Sequence, residues 1–358
     1  MPRAPLVAGS YATVRFVYTA GHPIDDTGYL KIAFRYAGDF GRPQFAEPAA
    51  PNYCTVTTDG ECLPVPRWDE KGHTRPWGPS LHVKITRGFL ARGRKISVTF
   101  GGRAGGSPGW QVQTFCERTY EFKTLVDPIA TYEFKELPRS PVLRIVPGKP
   151  VRAVCVTPSR VAVGRPFTYA VKTEDRWGNP TSKPCRFRHA GFRRPGVRRL
   201  RGRDPTTGLT ARSNPIAVTD RTSFLYPRWA DFHGQSEETI GTNSIDDYFR
   251  FARDRAFLDI AAHQGNDFQI TDDFWKRINR ATRRFYQPGR FVTFPGYEWS
   301  GNTPLGGDRN VYYRSEGGLI SHSSRDLLPD KAPRPEDSHT ADELFRRLRG
   351  PAPSPKKP

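Results

Sequence analysis

The hydrophobic pattern of this sequence changes its period near Asp220, and that change limits what the chain can fold into. Before this point, apolar residues recur at every second position, with turn residues between the runs. One such run consists of Ala12, Val14, Phe16 and Tyr18. A period of two is typical of strands with one buried face, and the 34 Pro and 33 Gly residues favour short strands over long helices. We therefore predict an antiparallel β-sandwich region over residues 1–220, as one domain or as two small ones, about 1–140 and 141–220.

After Asp220, short apolar strands alternate with helical patterns. A helix is predicted to begin near Ser244, whose hydroxyl can cap it with Asp247 three residues on. A second one is predicted to begin at Thr271, with Asp272 and Asp273 in its first turn. A third helix is predicted after Thr340. The alternation of strand and helix predicts a parallel α/β sheet or barrel.

This second half, residues 221–349, is too short for a whole eight-stranded barrel, which takes at least about 200 residues. We therefore expect the N-terminal half of a (β/α) barrel, incomplete because the chain is truncated or frame-shifted. Residues 350–358 are rich in Pro and Lys and are expected to be disordered.

Polar side chains that can bind metal follow three consecutive apolar strands. Asp231 and His233 come after the first strand, His263 after the second and Glu298 after the third. The carboxyl ends of parallel strands open onto one face, so these residues are predicted to meet there. Imidazole and carboxylate ligands suit zinc, manganese or iron. Taken alone, a His at a strand end is more often a hydrogen-bonded structural residue, and Asp231 is better explained as a turn or cap residue. Glu298, between Tyr297 and Trp299, is harder to explain as a solvated surface charge, and the repeated placement carries the prediction.

The segments around these residues read DFHGQSEETIG from residue 231, AHQGND from 262, FPGYEWS from 294 and GGDRNVY from 306. Together they resemble the family known as domain of unknown function 3604, a relative of the polymerase and histidinol phosphatase (PHP) metal-dependent phosphoesterases. GGSPG from residue 105 and DRWGNP from residue 175 are similar to the N-terminal region of that family.

The resemblance implies a cluster of divalent metal ions in a distorted PHP-like barrel. Such a site would hydrolyse a phosphoester or related bond of a small anionic substrate through a metal-bound hydroxide. By this resemblance His233, His263 and Glu298 are metal ligands, and Asp308 adds another carboxylate.

Two departures from the PHP pattern weaken the expected site. The position that usually holds a second His is Gln235, a neutral amide that binds metal weakly. The later His and Asp ligands of the family have no counterpart in this chain, so we expect weak metal affinity and little turnover by the chain alone. Glu237 and Glu238 are close enough in sequence to serve proton transfer, although exposed loop carboxylates are the commoner use of such residues.

A second hypothesis makes the chain a non-catalytic binding module. The β-sandwich region would recognise a carbohydrate or a protein, and the barrel would be a remnant. Trp68, Trp77 and Trp110 could stack on sugars, with buried packing as their other use.

The formal charge of +20 raises the question of an anionic partner. Part of the excess lies in an arginine-rich run, residues 186–203, which we interpret as an exposed loop or a poorly ordered hairpin. Because these arginines alternate with Gly, Pro and few apolar residues, without a series of stacking aromatic residues or an embedding helix, the sequence disfavours a nucleic-acid partner. The oligomeric state is left open.

The cysteines and the N-terminus bear on the compartment. Five cysteines without a C-x-x-C pair indicate reduced thiols. Neither a signal-peptide core nor a membrane-spanning stretch is recognisable. The expectation is a soluble protein in the cytoplasm.

Overall fold

The computed structural model describes residues 4–220, 225–301, 304 and 306–349. The chain divides into two units, residues 1–224 and residues 225–358. The predicted disordered tail, residues 350–358, lies outside the described residues. Within the described part, no helix is both long enough and apolar enough to cross a membrane.

The first unit is made of strands. Those of its first 146 residues are β1 (Leu6–Val7), β2 (Tyr11–Ala12), β3 (Val14–Thr19), β4 (Tyr29–Arg35), β5 (Cys54–Thr58), β6 (Leu63–Asp69), β7 (Trp77–Thr86), β8 (Lys95–Phe100), β9 (Trp110–Gln111), β10 (Glu117–Glu121), β11 (Lys123–Asp127), β12 (Lys135–Glu136) and β13 (Val142–Val146). Two larger sheets have the orders β12-β11-β4-β7-β6 and β3-β8-β5. Their inward side chains join one apolar core, as in two packed sheets. Strand β13 pairs with β1 and β10, so this group of sheets extends to Val146.

The tryptophans considered for sugar stacking take part in packing. Trp110 is fully buried and stacks between Phe40 and Phe100, with ring centroids 4.5 and 4.7 Å away. Trp68 meets the ring of Phe34 edge-on at 5.0 Å. The ammonium of Lys123 lies 4.2 Å from the ring centroid of Trp77. Trp110 is thus part of the core, whereas Trp68 and Trp77 are half-buried and engaged in contacts within the chain.

The remaining strands of the first unit are β14 (Arg152–Val156), β15 (Arg160–Ala162), β16 (Phe167–Glu174), β17 (Cys185–His189), β18 (Gly196–Arg198), β19 (Arg201–Arg203), β20 (Thr210–Arg212) and β21 (Ile216–Thr219). They form the sheets β14-β16-β17 and β15-β21-β18 and the ribbon β19-β20. All five cysteines are described, and none forms a disulfide.

The arginine-rich run differs from the expected exposed loop or poorly ordered hairpin, because it contains β18, β19 and all of β17 except Cys185. Alternate residues supply the inward contacts. Phe187 stacks on Tyr169 at 5.2 Å, and Gly202 lies against Cys155 and Val171. The arginines between them point to solvent.

The second unit contains helices. Its elements are β22 (Ala230–Gly234), α1 (Ile245–Asp254), β23 (Ile260–His263), a 3-10 turn (Asp267–Gln269), α2 (Asp272–Phe285), β24 (Val292–Phe294), β25 (Gly296–Ser300), β26 (Asp308–Tyr312) and α3 (Ala341–Arg349). Strands β22, β23 and β24 form a parallel sheet in that order. Strands β25 and β26 form an antiparallel pair. The described strands make no closed barrel.

The three helices begin where the sequence predicts. The Ser244 hydroxyl accepts from the backbone N–H of Asp247, and the Thr271 hydroxyl accepts from that of Phe274. At α3, Thr340 and Glu343 each bind the other's backbone N–H, the reciprocal pattern of a capping box. These three predictions are confirmed.

Candidate metal centre

His233, near the carboxyl end of the parallel strand β22, faces Glu298, which lies on β25 of the antiparallel pair. His233 is the fourth residue of β22, and Glu298 is the central residue of β25. The His233 Nε2 atom lies 3.8 Å from the Glu298 Oε2 atom. About half of the His233 side chain is exposed, whereas the Glu298 carboxylate is buried. The pair therefore joins a buried charge to a solvent-accessible imidazole.

The hydrogen bond on the other ring nitrogen fixes how His233 faces this carboxylate. Its Nδ1 atom lies 3.0 Å from the amide oxygen of Asn310. Because an amide oxygen can only accept, Nδ1 carries the proton, and in the neutral ring Nε2 presents a lone pair toward Glu298. Two electron-rich atoms at this distance repel each other unless a proton or a cation lies between them. Metal-binding histidines in proteins characteristically donate their second N–H to an oxygen in this way.

Glu298 is held by neutral amides on its other side. The Gln235 and Asn266 side-chain nitrogens donate to Glu298 Oε2 at 3.1 and 2.8 Å. The Gln235 oxygen accepts from the Thr239 hydroxyl at 2.8 Å. Gln235 thus acts as a donor to the carboxylate in this arrangement. The Asn266 oxygen is buried and has no hydrogen-bond partner among the described residues.

These residues fit a divalent cation only in part. Two donors bound to one zinc ion at 2.0–2.2 Å are at most about 4.3 Å apart, so the 3.8 Å pair can share an ion. The orphaned Asn266 oxygen adds a neutral acceptor beside it. However, no group of three His, Cys, Asp or Glu side chains is arranged to hold a metal in the part of the chain that the structure describes.

The two predicted aspartate ligands lie at the rim. Asp231 accepts from the backbone N–H of His233 at 2.9 Å. Burial, with the nearby Asp231 carboxylate, raises the pKa of the Tyr248 phenol. Asp308 is exposed. It pairs with Ser300 two positions from the Glu298–Asn310 pair, so its side chain points to the same face as Glu298.

His263 is placed differently, in a buried chain of hydrogen bonds. Its Nδ1 atom accepts from the backbone N–H of Gly265 at 3.3 Å, so Nε2 is the protonated nitrogen and donates to Ser236 Oγ at 2.9 Å. The Ser236 hydroxyl donates to Glu238 at 2.5 Å, and Arg277 donates to the second Glu238 oxygen at 2.6 Å. Both ring nitrogens of His263 and both oxygens of the Glu238 carboxylate are therefore hydrogen-bonded. We call this chain of His263, Ser236, Glu238 and Arg277 the relay.

Glu237 lies on the turn that follows β22. Its backbone N–H donates to the Asn243 carbonyl at 2.7 Å.

The relay predicts a pH dependence of stability. Burial lowers the pKa of His263 to about 3, so the folded chain keeps this ring neutral where the unfolded chain protonates it. The unfolded state binds more protons between pH 6.5 and 3, and stability is lost as the pH falls through that window, by about 1.4 kcal/mol per pH unit. The buried Asp267, whose pKa is raised by burial to about 7, acts in the opposite direction.

Because Asp267 acts in the opposite direction, the test compares the stability of wild type with that of a variant that lacks the His263 imidazole. We expect the stability difference between wild type and His263→Gln to shrink as the pH falls from 6.5 to 4. Hydrogen exchange of a peptide covering β23 measures it within the second unit. An Asp267→Asn background removes the opposing titration, and a pH-independent difference there would contradict the prediction.

Several residues of the centre were not singled out from the sequence. Asn266 and Asn310 hold Glu298 and His233, and Ser236 binds His263. All three stand inside the segments that carry the family resemblance. Their position in these segments was a signal, but they are not ionisable, and a search for metal-binding side chains does not select them.

Comparison with known proteins gives relatives without an assigned activity. The chain is 24% identical over 366 residues to an uncharacterized protein of Chlamydia pneumoniae, covering 88% of this chain and 56% of the relative. It is 23% identical over 356 residues to an uncharacterized protein of Chlamydia trachomatis, covering 86% and 55%. The chain therefore spans about half the length of the curated relatives it matches. Residues 215–350, which contain every residue of the centre described above, match the family model described as Protein of unknown function (DUF3604).

Proposed function

We propose that the second unit is part of a metal-dependent hydrolase of the phosphoesterase type, built on an incomplete PHP-like barrel. The resemblance to the PHP phosphoesterases supports this proposal, and so do His233 and His263, which lie at the carboxyl ends of the parallel strands β22 and β23. The substrate class is a small anionic molecule with a phosphoester or related bond. A bound divalent ion would supply a Lewis acid and would lower the pKa of a water molecule toward neutrality.

One observation carries the proposal: the His233 Nε2 atom faces the buried Glu298 carboxylate across 3.8 Å while its Nδ1 atom is bound to Asn310. A bound cation turns this repulsion into attraction to both groups. Asn310 orients the imidazole and Asn266 orients the carboxylate, so both donors are already in place before an ion arrives.

The hydrogen bonds of Glu238 limit the chemistry of this site. Because Glu238 accepts from both Ser236 and Arg277, it is occupied in the relay and is not available as a proton acceptor in this arrangement. With two ionisable donors in reach of each other, we expect weak metal binding and low turnover.

Titration of the whole chain with manganese or zinc in a calorimeter tests the proposal. We expect one weak site, and His233→Ala or Glu298→Gln should each weaken it by about 10- to 100-fold. His22→Ala removes an exposed imidazole from the first unit and should leave binding unchanged.

Hydrolysis of bis(p-nitrophenyl) phosphate with and without a chelator is the second readout. Metal-dependent hydrolysis that both variants lose would support the activity. Metal binding equal in wild type and both variants would reject this centre.

A further inference from the structure

The positive charge of this protein is concentrated in the strands of residues 151–220. This segment has 15 Lys and Arg side chains and 4 Asp and Glu side chains. Three of the four carboxylates are buried. Glu174 pairs with Arg152 and Lys172, and the other two, Asp175 and Asp204, accept backbone N–H groups of their own turns. The acidic groups are thus used internally, and the exposed charge is almost entirely basic.

Three of these arginines stand on one face of the ribbon β19-β20. We call Arg201, Arg203 and Arg212 the arginine ribbon. The register pairs Arg201 with Arg212 and Gly202 with Ala211. Gly202 packs so closely that an added Cβ would lie 2.6 Å from a Val171 methyl and 2.8 Å from the Cys155 sulfur. Because side chains alternate along a strand, the three arginines must point outward, and all three are exposed.

The charges of the arginine ribbon are not compensated. Arg201 and Arg212 are directly opposite each other, and like charges in such a cross-strand pair destabilise a sheet. Among the residues that the structure describes, no hydrogen bond or ion pair engages these three guanidinium groups. A surface that gathers unpaired cations in this way is stabilised by an anion bound across it.

We propose that the arginine ribbon binds the phosphodiester backbone of a nucleic acid, a function separate from the metal centre. Guanidinium groups bind phosphate oxygens in a bidentate manner. Arg201 and Arg203 are about 6.8 Å apart along the strand, which is twice the axial rise of about 3.4 Å per phosphate of a DNA strand. Three cations spread over this distance match a repeating polyanion better than a single phosphate.

The outer face of the ribbon fits a nucleic acid better than an anionic lipid surface. Besides the arginines it presents Thr210, a hydrogen-bond donor, and no apolar side chain. Surfaces that bind lipid combine basic residues with apolar side chains that enter the bilayer. Because the ribbon has no aromatic residues for stacking, we expect it to contact the phosphate backbone and not the bases. The sequence disfavoured nucleic acid because the run lacks a series of stacking aromatic residues and an embedding helix, and a ribbon that contacts only the phosphate backbone needs neither.

Fluorescence anisotropy of the full chain with a fluorescein-labelled 20-base-pair DNA duplex, between 50 and 200 mM salt, tests the inference. Each arginine–phosphate contact contributes about 0.9 to the logarithmic salt slope. Loss of three contacts in Arg201→Gln/Arg203→Gln/Arg212→Gln should reduce the slope by about 2.7. Between 50 and 200 mM salt, the variant should therefore lose about 40-fold less affinity than the wild type loses.

Two variants serve as controls. Arg92→Gln/Arg94→Gln/Arg144→Gln removes the same charge from exposed positions elsewhere in the first unit and should change the slope by less than one. Replacement of the three ribbon arginines by Lys keeps their charge, and the salt slope should then stay within about one of wild type.

Three results would overturn the inference. The first is an equal effect of the ribbon variant and the Arg92/Arg94/Arg144 control, which would show a response to net charge alone. The second is binding to vesicles of anionic lipid without binding to the duplex. The third is no binding of the duplex at 50 mM salt.

Discussion

Asp337→Ala should destabilise the second unit by about 3–5 kcal/mol, one of the two largest effects we expect in this protein. Asp337 and Arg325 form a buried bidentate pair, with nitrogen–oxygen distances of 2.6 and 2.9 Å. Arg325 also donates to His322 at 3.1 Å, and the other ring nitrogen of His322 contacts the Ile270 carbonyl at 3.0 Å. Removal of the carboxylate leaves a buried guanidinium without its counter-ion.

The measurement is hydrogen exchange of peptides from residues 320–338. Asp326→Ala removes an exposed carboxylate from the same segment and should change stability by less than about 0.5 kcal/mol. Adding Arg325→Met to Asp337→Ala should restore part of the loss, because the uncompensated charge is then gone. A loss for Asp337→Ala no larger than that for Asp326→Ala would show that the pair does not hold this segment.

Trp110→Ala should destabilise the first unit by a comparable amount, about 3–5 kcal/mol. The indole is fully buried and stacks on Phe40 and Phe100, and its N–H donates to the Gly41 carbonyl at 2.7 Å. The substitution removes apolar contacts and leaves a cavity that surrounding rings fill only in part.

Urea unfolding followed by near-ultraviolet circular dichroism measures this loss. Trp110→Phe keeps most of the ring contacts and loses the hydrogen bond, so it should cost clearly less than the change to Ala. Phe89→Ala removes a half-exposed ring from the same unit and is the matched control. Equal losses for Trp110→Ala and Phe89→Ala would contradict the assignment of Trp110 to the core.

Features that depend on neighbouring residues could be predicted from the sequence. The caps at Ser244, Thr271 and Thr340 act over three residues, so a single stretch of sequence contains the whole interaction. The alternation in strands such as β3 and β8 likewise shows which side chains enter the core. The β-rich class of the fold follows from many such local patterns.

Features that depend on distant partners could not be predicted in the same way. Arg201-Gly202-Arg203 has the alternation of a strand, but only the contacts of Gly202 with Cys155 and Val171 show why it is one. His263 stands at the predicted strand end. The Ser236 hydroxyl that is hydrogen-bonded to its Nε2 atom is 27 residues away, and no pattern in the sequence predicts that bond.

The position of Glu298 on β25 has a consequence for how reliably the centre assembles. Tyr297 and Trp299 flank it, both are fully buried, and they point to the opposite face of the strand. A slip of one residue against β26 would move both rings out of the core, each worth about 1.5–3 kcal/mol of burial, and would turn the carboxylate away from His233. The two aromatic rings therefore act as a register lock, so the alignment of an acidic group with an imidazole on another strand is enforced by hydrophobic packing.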